Sequence, residues 1–324
     1  MRLKTLSVEG VLVSNLQSRF AMRAWIRDVL FALMIVPLLL VAVYAISNAY
    51  RIYHPQSRKT RKGPNEFGLP AIPTRIPVMN ESLTLDAWWI PKDGAHHTVI
   101  VCHEWGTHKG SKLRHAECLH RAGYHVLLFD FRNHGESDLD PSWWGMSRRF
   151  TDDLESVIKF TYERLSCWQG KVAVVAFSFS TFPAIYVAAT RRHLTVDAMI
   201  LDSGPTLSLE ALGIRFIEVY GKAALPAICK GPVGYRVYKY VFVRALLIML
   251  DVKWPVPLTD LATKFLFIAG EHDAVAVPQE VERVMALSCD SEMWVAPGAN
   301  HLMAYWRDPE GYASRVIDFL KRAF

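Results

Sequence analysis

Residues 172–191 read VAVVAFSFSTFPAIYVAATR, and this stretch decides the fold. Its first part, Val172–Phe177, is continuously apolar and rich in valine, which is typical of a strand buried on both faces of a sheet. Its last part, Thr181–Arg191, has the pattern of a helix. Ser178 lies between them, so the stretch predicts a strand that turns into a helix at a serine.

A serine at such a turn projects its hydroxyl out of the sheet, and the helix directs backbone N–H groups at the same place, which suits a developing oxyanion. The turn also brings neighbouring backbone close, so the residues two positions before and after must be small. Ala176 and Ser180 meet this condition. Taken alone, however, the pattern equally fits a serine that caps a helix.

The rest of the chain alternates strand-like and helix-like runs. The other predicted strands are Thr84–Ile90, Thr98–His103, His125–Asp130, Ala198–Leu201, Phe265–Ala269 and Glu292–Val295. The other clear helical patterns are Lys112–Ala122, Asp153–Leu165, Gln279–Leu287 and Pro309–Arg322. This alternation predicts an α/β fold whose mostly parallel sheet is covered by helices on both faces. Active sites in such sheets lie at the carboxyl ends of the strands.

Two further strand ends carry residues that complement Ser178. Asp273 follows one predicted strand in Gly-Glu-His-Asp, and His301 follows another in Pro-Gly-Ala-Asn-His. A serine hydroxyl needs a base beside it, and that base needs a carboxylate to orient it and to stabilise its charged form. We expect Ser178, His301 and Asp273 to meet at one edge of the sheet.

Residues 98–301 resemble the α/β-hydrolase superfamily over nearly their whole length. The matching segments, in order, are His103-Glu104-Trp105-Gly106, Gly123-Tyr124 with the strand to Asp130, Phe131-Arg132-Asn133-His134-Gly135-Glu136-Ser137, Gly270–Asp273 and Asn300-His301. The chain order Ser, Asp, His is also that of this fold.

The resemblance implies that Ser178 is the nucleophile, His301 the general base and Asp273 the acid. It also implies an oxyanion hole formed by the backbone N–H groups of Trp105 and Phe179. Some members place the acid after the preceding strand, so Asp202 and, less convincingly, Asp197 compete with Asp273.

The sequence departs from the family pattern at three positions. Ala176 and Ser180 replace the two glycines that usually flank the nucleophile, and Glu104 stands where many members have glycine. A similar His-Glu-Trp run occurs in relatives of dienelactone hydrolase, where the glutamate contacts the nucleophile. Glu104 is therefore either an acid near Ser178 or a surface carboxylate beside the loop.

The predicted hydrolase domain covers residues 76–324 and contains an insertion at about 205–257 that is rich in large apolar residues. In this fold, insertions after the corresponding strand form a cap over the active site. An apolar cap indicates an acyl chain or another hydrophobic substrate, although the insertion also fits simple packing against the body.

Residues 29–47 contain no charged side chain and are long enough to span a bilayer. We predict a single transmembrane anchor there, preceded by a basic leader (1–28) and followed by a linker (48–75). A buried helix and a cleaved signal peptide are the alternatives, but a leader of 28 residues is long for a signal peptide. Five basic residues on each side leave the orientation open.

Charge and composition narrow the function classes. Residues 1–62 hold ten Lys or Arg against two Asp or Glu, and the remainder holds 27 against 29. A basic leader on a near-neutral body fits membrane lipid and not nucleic acid. The histidines crowded between His96 and His125 lack zinc-ligand spacing, so we expect no metal and no organic cofactor. The oligomeric state stays open.

The prediction is thus a membrane-anchored serine hydrolase of lipid metabolism that acts on a hydrophobic carboxylic ester or thioester through an acyl-enzyme. An acyltransferase on the same fold and a non-catalytic binding protein are the alternatives.

Overall fold

The computed structural model describes residues 8–55, 62–165 and 170–324. Its centre is one eight-stranded sheet with the order β1-β2-β4-β3-β5-β6-β7-β8. The strands are β1 Ile72–Pro77, β2 Thr84–Ile90, β3 Thr98–Val101, β4 His125–Phe129, β5 Val172–Phe177, β6 Ala198–Asp202, β7 Lys264–Gly270 and β8 Ser291–Ala296. Strands β3 to β8 run parallel to one another, whereas β1 pairs antiparallel with β2 and β2 pairs antiparallel with β4.

The helices lie on both faces of this sheet, as the alternating pattern predicts. They are α1 Val8–Tyr53, α2 Leu113–Arg121, α3 Met146–Leu165, α4 Thr181–Thr190, α5 Leu209–Phe216, α6 Ala227–Lys230, α7 Pro232–Leu250, α8 Pro278–Met285, α9 Ala304–Arg307 and α10 Pro309–Ala323. Helices α3, α4 and α8 pack in one apolar core, and α2 and α10 pack in the other. The predicted α/β-hydrolase architecture is confirmed.

Seven of the strands coincide with the predicted ones to within two residues, but strand β1 was missed. Its sequence is IPTRIP, and proline is disfavoured in strands because it donates no ladder hydrogen bond. The prolines are tolerated here because β1 is the edge strand of the sheet.

The insertion after β6 forms a helical layer made of α5, α6 and α7. Helix α7 buries Tyr238, Phe242, Val243 and Met249 against the rest of the molecule. A π-helical turn, Ile217–Gly221, joins α5 to this part of the chain.

Helix α1 extends beyond the predicted anchor, since it continues through residues 48–53 of the predicted linker. Val41, Ala45, Ala49 and Tyr53 recur every four residues and are buried, which gives the last third of α1 a single packed face. Within the described residues, one segment, Gln17–Tyr53, is long and apolar enough to cross a membrane. Residues 1–7 of the leader and 56–61 of the linker lie outside the described residues.

Candidate active site

The turn after β5 holds Ser178 in an unusual backbone conformation. Its φ is 51°, in the left-handed region that residues other than glycine seldom adopt. A short 3₁₀ turn, Ser178–Ser180, leads directly into helix α4. The predicted strand–serine–helix turn is therefore present, and Ser178 borders a cavity at the carboxyl end of the sheet.

Ser180, which replaces a family glycine, is bonded into this turn. Its buried hydroxyl accepts the Phe177 N–H at 2.7 Å and donates to the Phe177 carbonyl at 3.0 Å. Strand β3 pairs with β5 only as far as Val175, so no residue of β3 pairs with Phe177. The Ser180 hydroxyl thus satisfies a buried amide that the sheet leaves unpaired.

Ser178, His301 and Asp273 form one chain of hydrogen bonds. Ser178 Oγ lies 2.9 Å from His301 Nε2, and His301 Nδ1 lies 2.7 Å from Asp273 Oδ2. A carboxylate only accepts, so Nδ1 carries the hydrogen and Nε2 is left to accept the serine proton. This is the arrangement in which an imidazole can act as a base toward a hydroxyl.

The loop after β7 fixes the carboxylate of Asp273. Its Oδ1 accepts the backbone N–H groups of Val275 and Ala276, each at 2.8 Å. Its side chain is fully buried. With Oδ1 held by the backbone, Oδ2 is directed at the histidine.

The two competing carboxylates are engaged elsewhere than at His301. Asp202 accepts the hydroxyls of Ser203 and Tyr312, at 2.8 and 3.0 Å. Burial raises the pKa of Asp202 above its ordinary value. Asp197 accepts a backbone N–H at the start of β5, at the opposite end of the sheet.

Asp202 nevertheless supports the histidine loop through one intermediate. The Ser203 hydroxyl that donates to Asp202 also accepts the backbone N–H of Leu302 at 2.9 Å. Leu302 directly follows His301, so this pair restrains the backbone that carries the base. Sequence reasoning missed this role because it considered Asp202 only as an alternative acid.

The two predicted oxyanion donors border the same cavity as Ser178. Phe179 directly follows the serine, and its ring stacks on His134 with 5.7 Å between centroids and 9° between planes. The indole Nε1 of Trp105 donates to the backbone carbonyl of Ile52 at 2.6 Å. The loop that carries Trp105 is therefore tied to the last turn of α1.

Glu104 lies beside this loop but forms an ion pair with Lys112, with 2.6 Å between Oε2 and Nζ. Its carboxylate also accepts Ser111 Oγ at 3.5 Å. Burial alone would raise the pKa of Glu104, but the Lys112 ammonium outweighs burial and the pKa lies below its ordinary value. These contacts direct the Glu104 carboxylate toward the start of α2.

Two buried histidines near the site are neutral structural groups. Burial lowers the pKa of His103 to about 4 and that of His134 to about 3. His103 Nε2 accepts the Phe131 N–H at 3.1 Å, and His134 Nδ1 lies 2.9 Å from the Arg132 carbonyl. Within residues 8–55, 62–165 and 170–324, no group of three or more His, Cys, Asp or Glu side chains is placed to hold a metal.

The cavity beside Ser178 has a volume of about 180 Å³ and an almost entirely apolar wall. Its wall comes from the hydrolase body, from the helical layer and from α1. Representative lining residues are Phe150, Phe182, Phe216, Phe242, Leu246 and Trp254. Ile52 at the end of α1 also lines it, so a residue of the predicted linker, in helical conformation, contributes to the site.

The last turn of α1 is further bonded to the body by buried polar groups that sequence reasoning missed. Tyr53, fully buried, donates its hydroxyl to Asp140 at 2.7 Å, and its carbonyl accepts the Asn133 side-chain amide at 3.1 Å. Asp140 also pairs with the buried Arg132 at 2.8 Å. No local pattern signals these contacts, because they join residues 80 to 87 positions apart.

Comparison with known proteins gives the following relatives. The uncharacterized protein YqkD of Bacillus subtilis (strain 168) is 22% identical over 231 residues, which cover 69% of this chain and 71% of YqkD. The Pyrococcus furiosus esterase Pf2001 has a similar structure, with a TM-score of 0.66, 24% identity, and coverage of 83% of this chain and 98% of that chain. A Thermogutta terrifontis esterase matches with a TM-score of 0.56 and 19% identity, covering 78% of this chain and 99% of that one.

A protein-family model described as the alpha/beta hydrolase family matches residues 85–315. The match includes every strand from β3 to β8 and the turn that carries Ser178. Since it covers well over half of the sequence, the chain belongs to the alpha/beta hydrolase family.

Proposed function

We propose that this protein is a serine hydrolase that cleaves carboxylic esters of hydrophobic acids. The observation that carries the proposal is the series of hydrogen bonds from Ser178 through His301 to Asp273, together with the apolar cavity that Ser178 borders. The esterases with similar structures are consistent with it.

In the proposed reaction, Ser178 Oγ attacks the ester carbonyl carbon while His301 Nε2 takes the hydroxyl proton. Asp273 stabilises the resulting imidazolium. The tetrahedral oxyanion accepts the backbone N–H groups of Phe179 and Trp105. The intermediate then collapses, the alcohol leaves with the proton from His301, and water releases the acid from Ser178 by the same steps.

The cavity supports a short or medium acyl chain in the acid part of the ester. Its 180 Å³ is slightly larger than the roughly 150 Å³ of an apolar cavity that holds benzene. We therefore propose an acyl group of roughly six carbons within the wall, with the alcohol part directed outward. A thioester of the same acid would react by the same steps.

We also propose that α1 anchors the protein in a membrane by a single span. Its residues between Asp28 and Asn48 are uncharged, and the face away from the body exposes large apolar side chains such as Leu30, Leu33 and Leu40. Exposed apolar side chains in such number call for lipid or another apolar partner.

A fluorophosphonate probe tests the nucleophile on the full chain in detergent. We expect labelling of the wild type, no labelling of Ser178→Ala, and normal labelling of Ser147→Ala, a matched control because Ser147 lines the same cavity. Equal labelling of the wild type and Ser178→Ala would refute the assignment.

Turnover of p-nitrophenyl hexanoate then separates hydrolysis from the alternatives. Release of free hexanoic acid that depends on Ser178 supports the hydrolase. Transfer of the acyl group to an added alcohol in preference to water would indicate an acyltransferase. Probe-reactive protein without turnover of any ester would indicate a binding function.

A further inference from the structure

Helix α7 of the helical layer packs beside α1, and the two helices run in the same direction. The rings of Tyr44 on α1 and Tyr238 on α7 lie 6.0 Å apart, and the Asn48 amide donates to the Tyr238 hydroxyl at 3.0 Å. Further along both helices, Ile52 and Leu246 line the same cavity. Because both helices advance together, the start of α7 lies level with earlier residues of α1.

The part of α1 that α7 covers is needed for the span. The uncharged run of 19 residues, 29–47, measures about 28 Å, close to the roughly 30 Å of a hydrocarbon core. Without residues 41–47 the remaining 12 would reach only about 18 Å. The run cannot be extended the other way, because Arg27 and Asp28 precede it. A spanning α1 therefore brings α6 and the start of α7 to the level of the lipid.

The depth to which the helical layer reaches into the bilayer follows from the rise of α1. From Ser47 to Val41, which is buried in the same apolar cluster as Cys229 and Tyr238 of the helical layer, α1 advances six residues, or about 9 Å. Amphipathic segments at a bilayer surface are immersed by roughly 5–10 Å. The end of the helical layer is thus expected at the boundary between head groups and acyl chains.

The residues at this end have the chemistry of that boundary. Ile228 on α6 and Val233 on α7 are apolar and expose 44% and 64% of their surface. Lys222 and Lys230 are exposed close to them in sequence. Residues 209–250 hold six Lys or Arg against two Asp or Glu, whereas 63–208 and 251–324 together hold 21 against 27. Basic charge is therefore concentrated on the helical layer as a whole, which suits a surface close to anionic lipid.

We propose that the end of the helical layer, formed by α6 and the first turn of α7, inserts into the surface of an anionic bilayer beside the anchor. This inference rests on the proposed membrane span. Insertion holds the body in one orientation on the bilayer. It also brings the cavity wall formed by α7 and Ile52 close to the lipid from which a hydrophobic ester would come.

Photo-crosslinking tests the insertion independently of activity. A benzoylphenylalanine is placed in the full chain at Ile228, Val233, Leu40 or Ile72, one at a time. Each variant is reconstituted in vesicles of phosphatidylcholine and phosphatidylglycerol with tritiated acyl chains. Leu40 is the positive control on the exposed face of α1, and Ile72 is the matched negative control on the edge strand β1, with 57% and 53% exposure.

We expect lipid adducts at Ile228, Val233 and Leu40 and none at Ile72. We also expect the yield at Ile228, but not at Leu40, to fall several-fold in vesicles of phosphatidylcholine alone. Adducts at Leu40 without adducts at Ile228 and Val233 would overturn the insertion and leave the anchor intact. No adduct at Leu40 would overturn the anchor as well, and an unchanged yield at Ile228 in neutral vesicles would overturn the contribution of the basic charge. The serine chemistry is read separately by the fluorophosphonate probe.

Discussion

Restoring the family glycine at position 180 is expected to damage this protein. Ser180 has φ −70° and ψ −12°, a conformation open to any residue, so glycine gains no backbone freedom that the turn needs. Ser180→Gly would instead remove the hydroxyl that bonds both the N–H and the carbonyl of Phe177.

The size of the loss follows from these contacts. A buried N–H left without a partner costs about 1–3 kcal/mol. The extra freedom of glycine in the unfolded chain adds about 0.5–1 kcal/mol. We therefore expect Ser180→Gly to lower the free energy of unfolding by about 1.5–4 kcal/mol and Ser180→Ala to lower it by about 1–3 kcal/mol. Since the same turn holds Ser178, kcat should fall as well.

Urea unfolding of the full chain in detergent, followed by tryptophan fluorescence, measures these values, and hydrolysis of p-nitrophenyl hexanoate measures kcat. Ala176→Gly is the matched control, because it introduces the other family glycine but removes no hydrogen-bonding group. It should lose only about 1–2 kcal/mol, from the added freedom of glycine and the loss of one buried methyl group. If Ser180→Gly is as stable as the wild type, or loses no more than Ala176→Gly, the role assigned to the Ser180 hydroxyl is wrong.

Three further predictions concern the charge and hydrogen bonding around the site. Asp273→Asn should lower kcat about 10³- to 10⁴-fold, because an amide in place of the carboxylate neither enforces the histidine tautomer nor stabilises the imidazolium. A wild-type kcat in this variant would exclude Asp273 as the acid. Trp105→Phe keeps the backbone N–H but loses the hydrogen bond to the Ile52 carbonyl. That bond is worth about 0.5–1.5 kcal/mol, so kcat should fall about 2- to 10-fold with little change in KM. An unchanged kcat would contradict a positioning role for this bond. In the folded protein the pKa values of His103 and His134 are lowered to about 4 and about 3. The unfolded chain therefore binds more protons than the folded one below about pH 6.5. The free energy of unfolding should fall by about 2 kcal/mol per histidine between pH 7 and pH 5. His134→Phe should reduce the fall in unfolding free energy between the two pH values by about 2 kcal/mol in urea titrations, and an unchanged fall would refute the assignment.

Seven of the eight strands were predictable because each of them carries its own signal in the sequence. Continuous apolar runs such as Val172–Phe177 are dictated by burial on both faces, so local sequence is sufficient. Strand β1, Ile72–Pro77, was not predictable in this way, since its prolines are compatible with a strand only at an edge. The position of a strand at the edge is a property of the whole sheet, and the sequence of the strand alone does not determine it.

In the candidate site, too, local sequence predicted some features, and others depend on the three-dimensional structure. Ser178, Asp273 and His301 each follow a strand, and parallel strands bring their carboxyl ends together, so their proximity could be inferred from the order of elements. The sequence did not decide between Asp273 and Asp202, because both follow strands. The structure separates them by loop geometry, in which two backbone N–H groups hold Asp273 Oδ1 and direct Oδ2 at His301.

The end of α1 was the least predictable part of the site, and its contacts change the role expected of the proposed anchor. A hydrophobic helix followed by a linker would leave the catalytic body free to rotate above the membrane. Instead Tyr53 is buried and bonded to Asp140, and Ile52 both lines the cavity and accepts the Trp105 indole. An extended chain between membrane and body would tolerate any relative orientation, whereas these contacts fix the helix axis relative to the site. In the proposed membrane-bound arrangement, the residues that shape the cavity also set the orientation of the body on the bilayer. Changes in the last turn of α1 should therefore alter catalysis even on water-soluble esters.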